Sequence, residues 1–163
     1  MPINPLNHKP NTNSPPSWWT SVCEDAATFK QPHSNSTSLV SGGGARNATD
    51  KVFQHNGAGT VSVHNFLAHN IGKLYRSCGN CSPQYARYSE FVNIRVDKAK
   101  VVVGVNQNFG DRTMLRDSCV VNTKAGGLCW RYEGNGQGKE PKKVGSGPEG
   151  EVCVVEGVRT LAC

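Results

Sequence analysis

The sequence has no long hydrophobic run and no helical periodicity. Its 163 residues are 36% hydrophobic, and no window repeats apolar residues at the i, i+3, i+4, i+7 spacing of an amphipathic helix. No stretch approaches the length of a transmembrane helix, so we expect no membrane partner. The 18 glycines and frequent asparagines favour a single, turn-rich β domain over a helix bundle.

Several motifs with defined chemistry are also missing. Without G-x-S-x-G or H-E-x-x-H, nothing supports hydrolysis by an activated serine or by zinc. The glycines of SGGGA (41–45) are not followed by GK[ST], so they do not form a phosphate-binding loop. The formal net charge of +6 is compatible with nucleic acid, but no helix-turn-helix, ribonucleoprotein or zinc-finger spacing is present. We therefore expect no nucleic-acid partner, and a basic nucleic-acid-binding domain is only a third alternative.

The N-terminal residues lack the apolar core of a signal peptide. Residues 1–17 are rich in proline and asparagine and are predicted to be a disordered tail. A β domain is predicted over residues 18–163, with a loop-rich C-terminal extension over residues 134–163. The seven cysteines indicate an oxidising compartment. Because that conflicts with the missing signal peptide, a truncated N-terminus is expected.

The cysteines follow no complete metal-binding pattern. The C-x-x-C pair Cys78 and Cys81 has no second pair for zinc and no βα context for redox chemistry, so a structural disulfide role is favoured. The odd number of cysteines leaves at least one unpaired. Cys153 and Cys163 can staple the end of the chain, although spacing alone does not determine the pairing.

Short apolar segments recur at intervals of roughly 22 to 28 residues. They begin at Ala26, Val52, Leu74, Val101 and Leu128. Each segment is too small to bury its own face, so the segments are expected to stack as turns of a parallel β-helix. A β-sandwich, the alternative, predicts closer strand spacing and clearer hairpins.

Charged residues recur with the same period. Asp25, Lys51 and Lys73 each precede an apolar segment, so stacked turns place them in a row about 4.8 Å apart per turn. Arg76 follows Lys73 in the same turn. Carboxylates suit calcium, and neighbouring cations could bind a polycarboxylate and lower one another's pKa towards that of a usable base. In the alternative interpretation the row is a surface charge ladder in which Glu24 and Asp25 simply pair with Lys51.

Six blocks over about residues 18–150 resemble the pectate lyases of polysaccharide lyase family 3. The blocks are VCEDAATFK (22–30), GGGA (42–45), DKVFQHNGAGTV (50–61), GKLYRSCGNC (72–81), VGVNQNFGD (103–111) and VGSGPEG (144–150). The resemblance implies an all-β, right-handed parallel β-helix. It also implies a monomeric, calcium-dependent enzyme that cleaves polygalacturonate by β-elimination. The cysteine-rich blocks are most similar to the secreted fungal or other eukaryotic branch, which implies an extracellular enzyme of plant cell wall pectin degradation.

The resemblance also assigns roles to individual residues. The implied Ca²⁺ ligands are Glu24, Asp25 and Asp50. Lys51 matches the proposed general base, while Lys73 and Arg76 match cations that hold the substrate carboxylate and stabilise developing charge. Arg76 is the alternative base, but lysine is favoured because its pKa shifts more readily than that of arginine.

The chain departs from the family pattern before its Trp-Trp pair. Family members have further turns of helix and another acidic calcium ligand there, whereas SPPSWWTS (14–21) holds no acid. We therefore expect weakened calcium binding and a marginally stable fold. The alternative function is a truncated or degenerate, non-catalytic pectin-binding β-helix protein.

Overall fold

The structure, a computed structural model, describes residues 16–163. Residues 1–15, most of the predicted tail, lie outside the described residues. The regular secondary structure of the described chain is almost wholly β-strand, and the strands wind into a solenoid with three faces. On each face, strands from successive turns pair in parallel, which confirms the predicted parallel β-helix and excludes the β-sandwich.

Each face takes one strand, or part of one strand, from each turn. The first face consists of β1 (Trp18–Trp19), β4 (Gly44–Arg46), the first part of β7 (Leu67–Ser77), the first part of β9 (Arg95–Asn106) and β11 (Cys119–Val121). The second face consists of β2 (Asp25–Phe29), β5 (Lys51–His55), the later parts of β7 and β9, and β12 (Cys129–Glu133). The third face consists of β3 (Thr37–Ser41), β6 (Gly59–His64), β8 (Arg87–Val92), β10 (Arg112–Arg116) and β14 (Cys153–Glu156).

Two further elements complete the chain. A short 3-10 helix, Gln107–Phe109, lies between β9 and β10. Strand β13 (Lys142–Ser146) pairs antiparallel with β12, in contrast to the parallel pairing of the three faces. Residues 134–163, predicted as loop-rich, therefore contribute both β13 and the third-face strand β14.

The core forms because apolar side chains of the same register position stack inside the solenoid. On the first face the inward column is Ala45, Ala68, Val96 and Val120. On the second face, Phe53 pairs with Tyr75, and both are fully buried. Since every turn stacks its apolar segment on the previous one, the repeat seen in the sequence becomes one continuous core.

Two corners of the solenoid use the left-handed backbone conformation. One corner joins the third face to the next turn, with φ between 49° and 75° at Gly42, Asn65, Asn93, Asp117 and Gly157. The other joins the first and second faces, with φ between 54° and 62° at Asn47, Asn70, Lys98 and Asn122. Glycine and asparagine tolerate this conformation better than other residues, which accounts for the frequent asparagines.

Three disulfides and one free cysteine account for all seven cysteines. The pairs are Cys78–Cys81, Cys119–Cys163 and Cys129–Cys153. The C-x-x-C pair thus forms a disulfide, and Cys23 is the unpaired, exposed cysteine. Cys153 and Cys163 staple the end of the chain, and the structure gives the pairing that spacing alone left open: Cys153 bonds to Cys129 in β12 and Cys163 bonds to Cys119 in β11. The solenoid brings those two earlier strands alongside the end of the chain.

Candidate active site

Asp25, Lys51 and Lys73 form a row on the second face. Asp25 begins β2 and Lys51 begins β5, and they are register partners. Lys51 is in turn the partner of Lys73 in β7. Parallel pairing without a register shift preserves the sequence period, so the predicted row exists.

Asp50 joins the two lysines of this row. It immediately precedes β5, and its Oδ1 atom accepts a hydrogen bond of 3.0 Å from Lys73 Nζ. Lys51 Nζ donates to Asp50 Oδ2 and lies 3.2 Å from Asp25 Oδ1. The four side chains therefore alternate in charge, in the order Asp25, Lys51, Asp50, Lys73. We call this arrangement the charged row.

Burial and the alternating charges shift the pKa values in the charged row. Burial raises the pKa of Asp25. Burial would also raise the pKa of Asp50, but hydrogen bonds from Lys51 and Lys73 outweigh it and lower the pKa. Burial would lower the pKa of Lys51, but its hydrogen bond to Asp50 and the charge of Asp25 raise it. The expectation that neighbouring cations lower the pKa of this lysine is therefore wrong, because carboxylates separate it from the next cation.

Glu24, the other predicted acid, is exposed beside the charged row. Its backbone carbonyl accepts a hydrogen bond of 3.2 Å from the Lys51 amide. Within residues 16–163 its side chain makes no hydrogen bond or ion pair. The structure therefore places Glu24 immediately before β2 without joining its carboxylate to those of Asp25 and Asp50.

Arg76 lies further along β7 but is covered rather than open. Its side chain is only 8% exposed, and its guanidinium carbon lies 3.7 Å from the centre of the Tyr132 ring. Its Nη1 atom donates a 3.1 Å hydrogen bond to Asn106 Oδ1. Burial lowers the pKa of Arg76. Among the described residues no hydrogen bond or ion pair links it to the charged row, so the predicted site has two parts.

A buried hydrogen-bond network holds Asn106, and through it Arg76. Asp111 Oδ2 accepts bonds from the Asn106 backbone amide (2.7 Å) and from Ser77 Oγ (2.5 Å). Asp111 Oδ1 accepts a 3.0 Å bond from the Arg87 amide. The Asn106 side-chain amide donates to the Cys78 carbonyl at 3.0 Å, which turns its oxygen towards Arg76.

Sequence reasoning missed Asn106, Asp111 and Tyr132 as partners of the site. Asn106 and Asp111 both lie in the VGVNQNFGD block (103–111) that carries the resemblance, so a signal was present for them. For Tyr132 we find no comparable signal, because its contact with Arg76 joins separate turns of the solenoid.

Asp25 and Asp50 have the donor chemistry of a calcium site. Asp25 Oδ1 is buried and, although close to Lys51, lacks a hydrogen-bond partner of acceptable geometry. Carboxylate oxygens are preferred calcium ligands, but calcium takes six to eight oxygens. Within residues 16–163 no group of three or more His, Cys, Asp or Glu side chains is arranged to hold a metal. The acids present thus fit part of a calcium site, to which water and substrate oxygens would have to contribute.

The described residues contain no candidate for a membrane-spanning helix.

Comparisons with known proteins agree with this geometry. A sequence model of the pectate lyase family matches residues 13–139. The probable pectate lyase E of Aspergillus clavatus is 48% identical over 132 residues, which cover 80% of this chain and 50% of that protein. Pectate lyase E of Emericella nidulans is 46% identical over the same shares. The chain thus spans about half the length of these relatives.

Solved structures show the same fold. The catalytic domain of pectate lyase PelI from Erwinia chrysanthemi has a TM-score of 0.75 and 32% identity, covering 88% of this chain and 70% of that domain. PelI in complex with tetragalacturonic acid has a TM-score of 0.73 and 34% identity, covering 88% of this chain and 51% of that one. On the family match, the fungal relatives and these structures, the chain belongs to the pectate lyase family.

Proposed function

We propose that this chain is part of a secreted lyase that cleaves polygalacturonate by β-elimination, with the charged row at its catalytic site. The observation that carries the proposal is the alternation of Asp25, Lys51, Asp50 and Lys73 on one face of a pectate lyase fold. A related lyase, PelI, has been solved with tetragalacturonic acid. Two half-buried lysines beside one another suit a substrate that carries a carboxylate on every sugar.

In the proposed reaction a base removes the C5 proton of a galacturonate unit. The electron pair of the C5–H bond forms the C4–C5 double bond, the C4–O bond breaks, and the departing oxygen takes a proton. Negative charge develops on the substrate carboxylate before C4–O cleavage. Fixed positive charges aimed at that carboxylate stabilise it, and this electrostatic effect is usually the largest contribution to catalysis.

We assign Lys73 to the substrate carboxylate and Arg76 to the developing charge. Arg76 is held by Tyr132 and Asn106, so its charge needs little reorganisation during the reaction. Lys51 is the proposed base, which requires its neutral amine. The raised pKa of Lys51 opposes that role, so Arg76 remains the alternative base and the two must be compared directly.

Calcium is the proposed cofactor, with Asp25, Asp50 and the neighbouring Glu24 as its protein ligands. When bound, the ion would supply positive charge that makes the C5 proton of the substrate more acidic. The carboxylates themselves keep Lys51 and Lys73 in place, through the contacts of the charged row.

The disulfides favour an oxidising environment, which supports the proposed secretion. All six paired cysteines are joined within the described residues. A plant cell wall setting follows from the proposed substrate.

The deciding experiment measures unsaturated product from polygalacturonate by its ultraviolet absorbance, with added calcium and with a chelator. We expect product that depends on calcium, and a loss of at least about a hundredfold in kcat for Lys51→Ala. Near-normal turnover by Lys51→Ala together with a large loss of turnover in Arg76→Lys would indicate that Arg76, and not Lys51, is the base. Retention on pectate without any product would contradict the lyase proposal and leave a binding protein.

A further inference from the structure

A groove of about 320 Å³ runs across the outer surface of the first face. Its lining residues are Arg46, Leu67, Ala68, His69, Arg95 and Asp97. Arg46, His69 and Asp97 are register partners in successive turns, and Leu67 and Arg95 form the neighbouring column. The corner that contains Asn70 separates this face from the second face and its charged row. The groove is therefore a distinct feature of the molecule.

An exposed tryptophan lies beside this groove. Trp18 is 54% exposed, although large aromatic side chains are usually well covered. Its register partner is Gly44, which in turn pairs with Leu67 of the groove floor. A Cβ atom on Gly44 would lie 2.6 Å from Trp18 Cζ3 and 2.6 Å from the Leu67 carbonyl oxygen. The indole therefore packs over Gly44, and the absent side chain lets it approach the floor of the groove.

Among the described residues, the arginines of the groove have no hydrogen-bond or ion-pair partner. Arg46 and Arg95 are both exposed, and within residues 16–163 neither side chain makes a hydrogen bond or ion pair. Asp97, by contrast, is engaged: its Oδ2 lies 3.3 Å from His69 Nδ1, and its Oδ1 accepts a 2.7 Å bond from Asn122. Two guanidinium groups thus remain open to an anion, and guanidinium matches a carboxylate in a bidentate manner.

We propose that this groove binds a chain of uronate sugars at a second site, away from the catalytic face. The indole of Trp18 packs against the C–H face of one pyranose ring, since aromatic faces bury large apolar area. Arg46 and Arg95 hold carboxylates of the chain, and Asp97 accepts hydrogen bonds from sugar hydroxyls. The choice of a galacturonate chain as the ligand rests on the proposed function.

Asp97 also argues against nucleic acid as the occupant. A nucleic acid places a negative charge on every phosphate, and the Asp97 carboxylate in the lining of the groove repels it. A uronate chain carries one carboxylate per sugar and many hydroxyl donors, so it can place hydroxyls at Asp97 and carboxylates at the arginines. The two arginines and the acceptor of the groove, with Trp18 beside them, thus form the mixture that an acidic sugar chain needs.

The test is calorimetric binding of polygalacturonate to the full chain carrying Lys73→Ala, which weakens binding at the catalytic site, so that changes at the groove can be compared on one background. We expect Arg95→Glu and Trp18→Ala each to weaken binding by about tenfold or more. The matched control is Arg112→Glu, a charge reversal on a third-face arginine that already pairs with Glu151, and it should change affinity little. In the otherwise wild-type chain, Arg95→Glu should raise KM for the polymer and leave kcat on a short oligogalacturonate unchanged.

Equal affinity of the Arg95→Glu and Arg112→Glu proteins would overturn the second site. So would equally tight binding of polyglutamate that is lost in Arg95→Glu, because the groove would then be a general anion site. Trp18 lies in β1, so the Trp18→Ala protein must first match the parent protein in circular dichroism and melting temperature. If it does not match, the binding result for Arg95→Glu alone tests the proposal. Since calorimetry needs no turnover, absence of lyase activity would count against the proposed function and leave the result for the groove intact.

Discussion

Arg76 keeps its place on the second face because Gly104, its register partner in β9, has no side chain. A Cβ atom at Gly104 would lie 2.9 Å from Arg76 Cδ and 3.3 Å from Tyr132 Cε2. The space between two turns is thus filled by the arginine stem, with the tyrosine ring beyond it. Because Gly104 has no side-chain methyl group, Arg76 can lie against the outer side of the second face, where Tyr132 covers it.

We therefore predict that Gly104→Ala displaces Arg76 from Tyr132 and Asn106. The protein should lose about 1 to 3 kcal/mol of stability through overpacking, and lyase activity should fall further than stability explains. Urea unfolding and the product assay measure the two effects. Gly136→Ala is the control, because its Cβ would meet nothing closer than 3.9 Å. Full activity in Gly104→Ala would show that the position of Arg76 does not matter.

His55 is a second residue whose chemistry depends on its surroundings. Its side chain is fully buried, with Nε2 3.1 Å from the Ala58 carbonyl and Nδ1 2.8 Å from the Tyr75 hydroxyl. Because a carbonyl only accepts, Nε2 carries the proton and Nδ1 accepts from Tyr75. This arrangement requires the neutral ring, and burial lowers the pKa of His55 to about 4.

His55 should therefore make stability depend on pH. Between an ordinary pKa of about 6.5 and the folded pKa of about 4, the unfolded chain binds a proton that the folded chain does not. Stability should thus fall as the pH drops through this window, by about 3 kcal/mol in total. Urea midpoints of the wild-type chain and His55→Gln, measured from pH 7 to pH 4, isolate this contribution. Parallel pH profiles for the two proteins would refute it.

At the scale of elements, the corner between the first and second faces shows how turns are held in register. Asn47 and Asn70 lie in successive turns, and the Asn70 side-chain amide donates a 2.9 Å bond to Asn47 Oδ1. Both have φ of 55°. Lys98 takes the next position in this corner with φ of 62°. Lysine has no short polar group that could form a local hydrogen bond, so its side chain does not offset the cost of the left-handed backbone conformation.

Replacing Lys98 with asparagine should therefore stabilise the solenoid. We expect a gain of about 0.5 to 1 kcal/mol in Lys98→Asn, since asparagine tolerates left-handed backbone better. Thermal melts provide the measurement. Lys98→Gln removes the same charge without that backbone preference, so it should show no gain. Equal stabilisation by both variants would attribute the effect to charge.

At the scale of the whole molecule, two disulfides join separate segments of the later turns. Cys129–Cys153 connects β12 to β14, and both cysteines are buried. Cys119–Cys163 ties the end of the described chain to β11. Cys78–Cys81 closes only a short loop, with a sequence separation of 3 against 24 for Cys129–Cys153. A longer loop loses more entropy when it is closed in the unfolded chain.

Removing Cys129–Cys153 should accordingly cost more than removing Cys78–Cys81. We predict a loss of about 3 kcal/mol for the Cys129→Ala/Cys153→Ala protein, and about half of that for Cys78→Ala/Cys81→Ala. Chemical denaturation of the two double variants beside the wild-type chain tests this order. A larger loss of stability in the Cys78→Ala/Cys81→Ala protein would mean that native contacts around that short loop contribute more than the entropy of loop closure.

Much of the architecture could be predicted because a solenoid translates sequence spacing directly into spatial stacking. The recurring apolar segments became the buried columns, and Asp25, Lys51 and Lys73 became register partners. Only the local spacing of residues matters for these features. A repeat of similar length in each turn places equivalent residues above one another without any knowledge of the loops.

Sequence alone was therefore enough to establish the family, the stacked strands and the order of charges along the second face. The state of those charges depends on contacts between turns: Asp50 lies between two lysines, and Tyr132 covers Arg76. The groove likewise combines side chains of three turns, and Trp18 from a fourth turn lies beside it. The burial of a side chain and the electrostatic field that acts on it depend on all of its neighbours in space. Those neighbours come from segments far apart in the chain, so only the tertiary structure determined these properties.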